Sequence, residues 1–386
     1  MTFPARGFPE SEFRERTARA QSLMAQHGLS ALLLTTEADI RYFTGFLTRF
    51  WESPTRPWFV VVPASGDPIA VIPSIGAHLM GQSWLSDIRT WQAPDYRDDG
   101  VTLLADTLAQ VVPAKDRIGV PSGLETHVRM PLQSWSTLQS MLQDRSWTSD
   151  LGILRDLRMV KSELEIAKIE TACAIGQRVF DKVPTLATKG VALDVVFRKF
   201  QMACLDQGAD WVSYLAGAAD QGGYGDVISP ASSRALKDGD VLMLDTGLVW
   251  DGYFCDFDRN YSVGAAKPHV SAAYQRLLDA TDSAFEIARP GATISDLFHA
   301  MNAQVSNGDG AGSVGRFGHG LGMQLTENPS IVPDDKTVLK PGMVLTLEPS
   351  CTLDHGKTLV HEENIVVTET GARYLSQPAP RTLPEI

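Results

Sequence analysis

The stretch Leu236–Asn260, LKDGDVLMLDTGLVWDGYFCDFDRN, decides how this 386-residue chain is read. A Gly239 turn leads into an apolar run that predicts a strand over Val241–Asp245, and a second strand follows over Tyr253–Asp258. Between them stands Asp251-Gly252, a pair favoured in two-residue hairpins because both central positions can take positive φ. With that turn, Trp250 faces Tyr253, Gly247 faces Asp256 and Asp245 faces Asp258. Residues two apart share a face, so Asp245, Asp256 and Asp258 gather on one side, and Gly247 leaves space opposite Asp256. Three such carboxylates repel one another unless a cation or a base neutralises them. A solvated acidic edge partnered by Arg259 would relieve the same repulsion.

Further along, LKPGMVLTLEPS, starting at Leu339, repeats the frame L-K-x-G-x-V-L-x-L-acid of LKDGDVLMLDTG. Each copy is a Gly turn and an apolar strand ending in a carboxylate, Asp245 or Glu348, then a second strand with another acid, Asp256 or Glu362. The repeat predicts two related halves that meet at one pocket, each supplying two carboxylates. The predicted strands of the second half are Met343–Glu348 and Thr358–Thr368. His319 sits in GRFGHGLG, where the glycines permit close backbone approach. One imidazole with four or five carboxylates suits manganese, iron, cobalt or zinc, whereas pure-oxygen magnesium and calcium sites rarely recruit histidine. Four carboxylates can bridge two divalent ions about 3.5–4 Å apart, a geometry used to activate water for hydrolysis.

Composition narrows the remaining classes. Lys and Arg total 34 against 46 Asp and Glu, a net charge of −12 with no basic run, which excludes nucleic acid and anionic membrane as natural partners. No apolar stretch approaches the ~18 residues of a membrane helix. The opening MTFPARGFPESEF has no apolar signal region, so a cytoplasmic protein is expected. Cys173, Cys204, Cys255 and Cys351 show no CxxC spacing and read as reduced core thiols. The run NGDGAGSVGRFGHGLG lacks G-K-[ST], against a nucleotide-binding loop.

The first third alternates helix and strand: a helix over Glu10–Gly28, then strands in ALLLT, WFVVVP, PIAVIP and Arg117–Val120. A compact α/β domain is expected to end near residue 150, with SDLGILRDLRMVK as the junction. Ser162 and Glu165 form a capping box that opens a helix with Leu164, Ile166, Ile169, Ala172, Cys173 and Ile175 on its apolar face. Further helices are predicted over Leu193–Gln207, Ser271–Ala288 and Ile294–Val305.

The motifs LDTG with a second Asp eleven residues on, GHGLG, TLEPS and EENIVVTE resemble the pita-bread metallohydrolases: Xaa-Pro aminopeptidase, prolidase, methionine aminopeptidase and creatinase. RYFTGF and LRMVKSELEIAKIE extend the resemblance over most of the chain, to the N-terminal domain and domain junction of the prolidase branch. It implies an α/β (α+β) fold: a creatinase-like N-terminal α/β domain over residues 1–152 and a duplicated pita-bread αβ catalytic domain over 160–386. It implies Asp245, Asp256, His319, Glu348 and Glu362 as ligands of two divalent ions (manganese first, with iron, cobalt or zinc as alternatives), and Glu348 as general base. A homodimer acting on a small molecule or short peptide also follows from the resemblance. Members that serve as binding scaffolds lose metal ligands, so retention of all five argues for an enzyme.

The sequence departs from the family at several positions. Peptidases place histidines where this chain has Thr326 and Ile228, and the prolidase branch often has an arginine where this chain has Val360. Neither Thr nor Ile replaces an imidazole as a cationic donor. Asp258 stands where the family has Thr, and is expected to act as a sixth ligand or to hydrogen-bond a bridging water. Thr326 and Asp258 join Glu348 as candidate catalytic residues, and Glu327 and Ile228 as candidate substrate contacts. His361 should point to the face opposite Glu362. RFWESPTRPW reads either as a segment reaching an active site or as a packed loop. The expected activity is hydrolysis of a C–N bond, nominally as an Xaa-Pro dipeptidase or aminopeptidase. The alternative is a lyase like that acting on dimethylsulfoniopropionate, or a creatinase-like amidinohydrolase, with Asp258 or Glu327 as base.

Overall fold

The computed structural model describes residues 3–53, 56–306 and 315–386. The chain forms two compact units, Ala5–Arg158 and Met159–Ile386, and Phe3 and Pro4 belong with the second. Among the described residues, no helix is long and apolar enough to cross a membrane.

The first unit is built on a six-stranded sheet of β1 (Ala31–Leu34), β2 (Phe59–Pro63), β3 (Ile69–Pro73), β4 (Ile88–Trp91), β5 (Arg117–Val120) and β6 (Ser146–Ser149). Its order is β4-β3-β2-β1-β5-β6, with β1 antiparallel to β2 and parallel to β5. The strands β1, β2 and β3 are apolar at nearly every position and buried throughout, as strands covered on both faces must be. Leu33, Phe59, Val61 and Val71 pack with Leu104 and Leu108 of the helix Val101–Val111. The helix Glu10–His27 stops at Gly28, whose φ of 65° closes the terminus in the left-handed region. In the aromatic segment, Phe50–Glu52 forms a short 3-10 turn and the Trp51 and Trp58 rings lie 5.8 Å apart. Arg129 donates to the carbonyls of Trp51, Ser53 and Arg56, so the described residues of this segment pack on their own unit. Pro54 and Thr55 of that segment lie outside the described residues, as do 307–314 of the glycine-rich run.

The second unit contains β7 (Trp211–Gln221), β8 (Asp240–Trp250), β9 (Tyr253–Phe254), β10 (Phe257–Ser262), β11 (His319–Gly320), β12 (Glu327–Ser330), β13 (Val344–Leu347), β14 (Ser350–Thr352), β15 (Thr358–Val360), β16 (Glu363–Val367) and β17 (Ala372–Tyr374). One sheet has the order β10-β8-β7 with β9 paired to β8, a second runs β12-β11-β13-β16-β17, and β14 pairs with β15 in a two-stranded ribbon. The Asp251-Gly252 turn takes φ of 48° and 79°, and Trp250 faces Tyr253 as its chemistry demands. Leu345 and Leu347 of β13 enter an apolar core with Leu297, Phe298 and Met301 of the helix Ile294–Val305. Strand alternation therefore sends Thr346 and Glu348 to the other face. Val241 and Met243 of β8 likewise pack with Tyr224, Tyr274 and Leu277, and Asp245 is next on that face.

Several expectations need correction. Leu164 is 46% exposed: it stands one position outside the buried stripe of Glu163–Phe180, although the Ser162–Glu165 capping box forms. The helix expected from Ser271 begins at Pro268, because proline at the first helical position has no N–H to leave unbonded. The strand expected over Val241–Asp245 continues to Trp250, since the hairpin extends its ladder. The strand expected over Tyr253–Asp258 is interrupted at Cys255 and Asp256, and that over Thr358–Thr368 at His361 and Glu362. Both interruptions carry a candidate ligand.

Candidate metal centre

Asp245 lies in the middle of β8 directly opposite Asp258 of β10, in the register set by the Asp-Gly turn. Asp256 occupies the gap between β9 and β10, Glu362 the gap between β15 and β16, and Glu348 follows the end of β13. His319 opens β11, held where its N–H donates to Thr346 Oγ1. Gly318, at φ 119°, brings the chain so close to β13 that a Cβ there would stand 2.2 Å from the Thr346 carbonyl oxygen. The glycine before the histidine thus serves strand contact. Gly247 behaves differently: the space it leaves is filled by Leu325, whose Cδ1 would lie 2.2 Å from an added Cβ.

Asp256, His319 and Glu362 each present a donor atom, and these three atoms lie within 4.8 Å of one another. His319 Nε2 is 3.4 Å from Asp256 Oδ2, while Nδ1 lies 2.9 Å from the carbonyl of Gly320. A proton on Nδ1 satisfies that carbonyl and leaves the Nε2 lone pair facing the carboxylates. Burial, with Arg316 nearby, pushes the imidazole down to about 4, so it is neutral near pH 7.

Burial and mutual repulsion push the acids upward in the absence of a cation. Asp245 is raised well above the usual range by burial and by Asp258 and Glu348, against a hydrogen bond from Tyr214. Asp256 is raised by burial, Asp245 and Glu348, and Glu362 by burial, Asp256 and Glu348. Glu348 is raised by burial to about 7, with Arg316 opposing and Asp258 adding. Asp245 Oδ1 and Glu362 Oε1 are buried without a hydrogen-bond partner among the described residues. Buried carboxylate oxygens left unpaired beside a neutral imidazole fit a divalent ion, and the mixed set suits a transition metal.

The other sequence candidates have different surroundings. Asp258 Oδ1 accepts the Glu362 N–H at 2.9 Å and lies 3.3 Å from His361 Nδ1, and Oδ2 accepts from Asn260. His361 bridges Asp258 and Glu363; burial disfavours its charge, yet those two contacts raise it to about 9. Arg259 pairs with Glu363 rather than forming the counter-ion of an acidic edge. Thr326 Oγ1 accepts from Arg316, and Glu327 forms a buried ion pair with Lys161 at 3.1 Å. Ile228 is 78% exposed, in a loop tied by Asp226 to the backbone of Ile228 and Ser229.

Sequence reasoning missed Tyr214, Arg316 and Asn364. Tyr214 is placed beside Asp245 by the pairing of β7 with β8, which no local pattern announces. Asn364 had a visible signal, since it stands two residues beyond Glu362 as Asp258 stands two beyond Asp256.

Comparison with known proteins gives concordant likenesses. Residues 167–369 match metallopeptidase family M24, and residues 16–160 match the creatinase/prolidase N-terminal domain. A probable dipeptidase PepE of Mycobacterium tuberculosis is 29% identical over 378 residues, 95% of each chain. An Xaa-Pro dipeptidase of Pyrococcus horikoshii is 30% identical over 228 residues, covering 58% of this chain and 64% of that one. Among solved structures, dipeptidase PepE from Mycobacterium ulcerans superposes with a TM-score of 0.84 at 28% identity, covering 98% of this chain and 99% of that one.

Proposed function

This chain belongs to metallopeptidase family M24, and on that premise we propose a two-metal hydrolase that cleaves the C–N bond of a small substrate, nominally an Xaa-Pro dipeptide. The observation that carries the reading is the buried cluster of mutually repelling carboxylates around a neutral imidazole, with Asp245 Oδ1 and Glu362 Oε1 left for a cation. The dipeptidase names of its relatives support the peptide substrate.

Asp245, Asp256, His319, Glu348 and Glu362 would hold the ions, manganese first. Bound metal supplies a Lewis acid that polarises the scissile carbonyl and lowers the pKa of water. Glu348 accepts the proton of the attacking water and returns it to the departing amine. Arg316, anchored on Thr326, is the cation that opposes the upward shift of the Asp256 and Glu348 carboxyls, and we assign it the substrate carboxylate. A cytoplasmic homodimer rests on the sequence reading alone.

A second reading is favoured by two positions. Thr326 and the exposed Ile228 present no imidazole where peptidases carry one, which suits elimination or amidine cleavage on a small zwitterion. The test is turnover of an Xaa-Pro dipeptide panel by manganese-reconstituted protein, with Glu348→Ala as control. Free amino acid products that vanish in the variant support the peptidase. Absence of turnover with two equivalents of metal bound would sink it, and an alkene or urea product from zwitterionic metabolites would establish the alternative.

A further inference from the structure

The two interrupted strands leave buried peptide groups that no ladder can satisfy, and side chains satisfy them across the two halves. The Asp256 N–H donates to Asn364 Oδ1 at 3.0 Å, and the Asp256 carbonyl accepts from Asn364 Nδ2. In the other direction, the Glu362 N–H donates to Asp258 Oδ1 at 2.9 Å, and the Glu362 carbonyl accepts from Arg259 at 3.4 Å. Asp258 and Asn364 are themselves fully buried. Each stands two residues beyond a candidate ligand on its own half, and grips the candidate ligand of the opposite half.

We propose that Asp258 and Asn364 are reciprocal positioning residues: each fixes the backbone of the metal-binding carboxylate contributed by the other half of the unit. A side chain can aim a carboxylate only as well as its own backbone is held, and at a gap in a ladder the usual restraint is missing. Asn364 is held in turn by its N–H to Ser376 Oγ and by Cys173 Sγ on Oδ1. Asp258 is held by Asn260, whose Nδ2 also donates to the Val360 carbonyl at 2.8 Å and whose Oδ1 accepts from Tyr224. Asp258 is therefore occupied as an anchor, which gives the Thr-to-Asp departure a role other than a sixth ligand. Because the grip is mutual, loosening either arm disturbs ligands of both halves together.

The inference rests on the five residues assigned above as metal ligands, and cobalt(II) titration of the metal-stripped full chain tests it through visible absorption. Wild type should bind two equivalents with a d–d spectrum. Asp258→Ala and Asn364→Ala should each weaken cobalt binding about 10- to 100-fold and change that spectrum. Asp258→Asn keeps an oxygen for the Glu362 N–H and should stay within about 3-fold of wild type. Tyr274→Phe, which removes a part-buried hydrogen bond to the Pro380 carbonyl, should lower stability and leave the spectrum untouched. For a variant that folds only with cobalt, the concentration at half-refolding replaces the titration midpoint. Alanine variants with wild-type affinity and spectrum, or an Asp258→Asn as impaired as Asp258→Ala, would overturn the clasp. Wild type that binds no cobalt would instead overturn the assignment of the ligands.

Discussion

Asp245 and Asp258 face each other as direct cross-strand partners, yet among the described residues only Asp258 has both carboxylate oxygens hydrogen-bonded. Asp258 is met by the Glu362 N–H, His361 and Asn260, whereas Asp245 keeps an oxygen without a partner. Like charges opposite one another in a ladder destabilise it. The asymmetry divides the pair into an anchor and a group left open for a cation.

Asp245→Asn should therefore stabilise the metal-free protein while abolishing metal binding. The gain should be negligible in acid, where the wild-type carboxyl is protonated, and should grow to about 1 kcal/mol near neutrality. Urea unfolding of metal-free protein at several pH values, paired with metal titration, measures both effects.

The raised carboxyls fix the sign of the pH dependence. Glu348 would titrate near 4.5 when unfolded but holds its proton to about 7 in the metal-free fold. At this group the folded state then binds more protons than the unfolded one, so its contribution to metal-free stability is full below pH 4.5 and is lost as pH rises to about 7. The loss from this one group is on the order of 3 kcal/mol. A bound ion replaces those protons, so metal-loaded protein should lack the fall, and metal binding should release protons. Calorimetry in buffers of different ionisation enthalpy counts them.

Two glycine substitutions should separate sharply. Gly318→Ala would force a Cβ against the Thr346 carbonyl at an unfavourable φ, costing about 3 kcal/mol and displacing His319. Gly247→Ala meets the tip of Leu325, which can rotate away, and Tyr214 Cβ at 3.2 Å, which need give only slightly, and should cost less, about 1.5 kcal/mol. Thermal unfolding with metal stoichiometry distinguishes them.

Lys161→Met should destabilise by about 3–5 kcal/mol, because the buried Glu327 loses its cation. Adding Glu327→Gln should recover much of that loss, since the amide oxygen still accepts the Gln324 N–H without carrying charge. Recovery in a double-mutant cycle would mark Glu327 as structural; no recovery, together with a selective change in KM, would return it to the substrate site.

Arg316→Gln should raise KM for dipeptides with a free terminal carboxylate by about tenfold, equivalent to roughly 1.4 kcal/mol, and leave their amides unaffected. Equal effects on both substrates would remove Arg316 from carboxylate recognition.

Local chemistry made much of the fold legible. The Asp-Gly turn set a register that placed Asp258 opposite Asp245, and Ser162 with Glu165 announced a helix start, because both signals act over two to four residues. The gaps at Asp256 and Glu362 were hidden, since strand propensity is continuous there and the competing hydrogen bonds come from Asn364 and Asp258, more than a hundred residues away in sequence. For the same reason Glu327 read as a candidate substrate contact: its partner Lys161 arrives from the start of the unit. Tyr214 was invisible because only the β7–β8 pairing carries it to Asp245.

The reciprocal grip also orders maturation. As the chain leaves the ribosome, Asp245 and Asp256 emerge long before Asn364, the residue that immobilises Asp256. The early half can form its hairpin, but it cannot present a finished coordination geometry until the last strands dock. On the proposed clasp, tight metal binding therefore waits until the segment carrying Asn364 has docked, and before that the chain offers ions only a loose pair of acids.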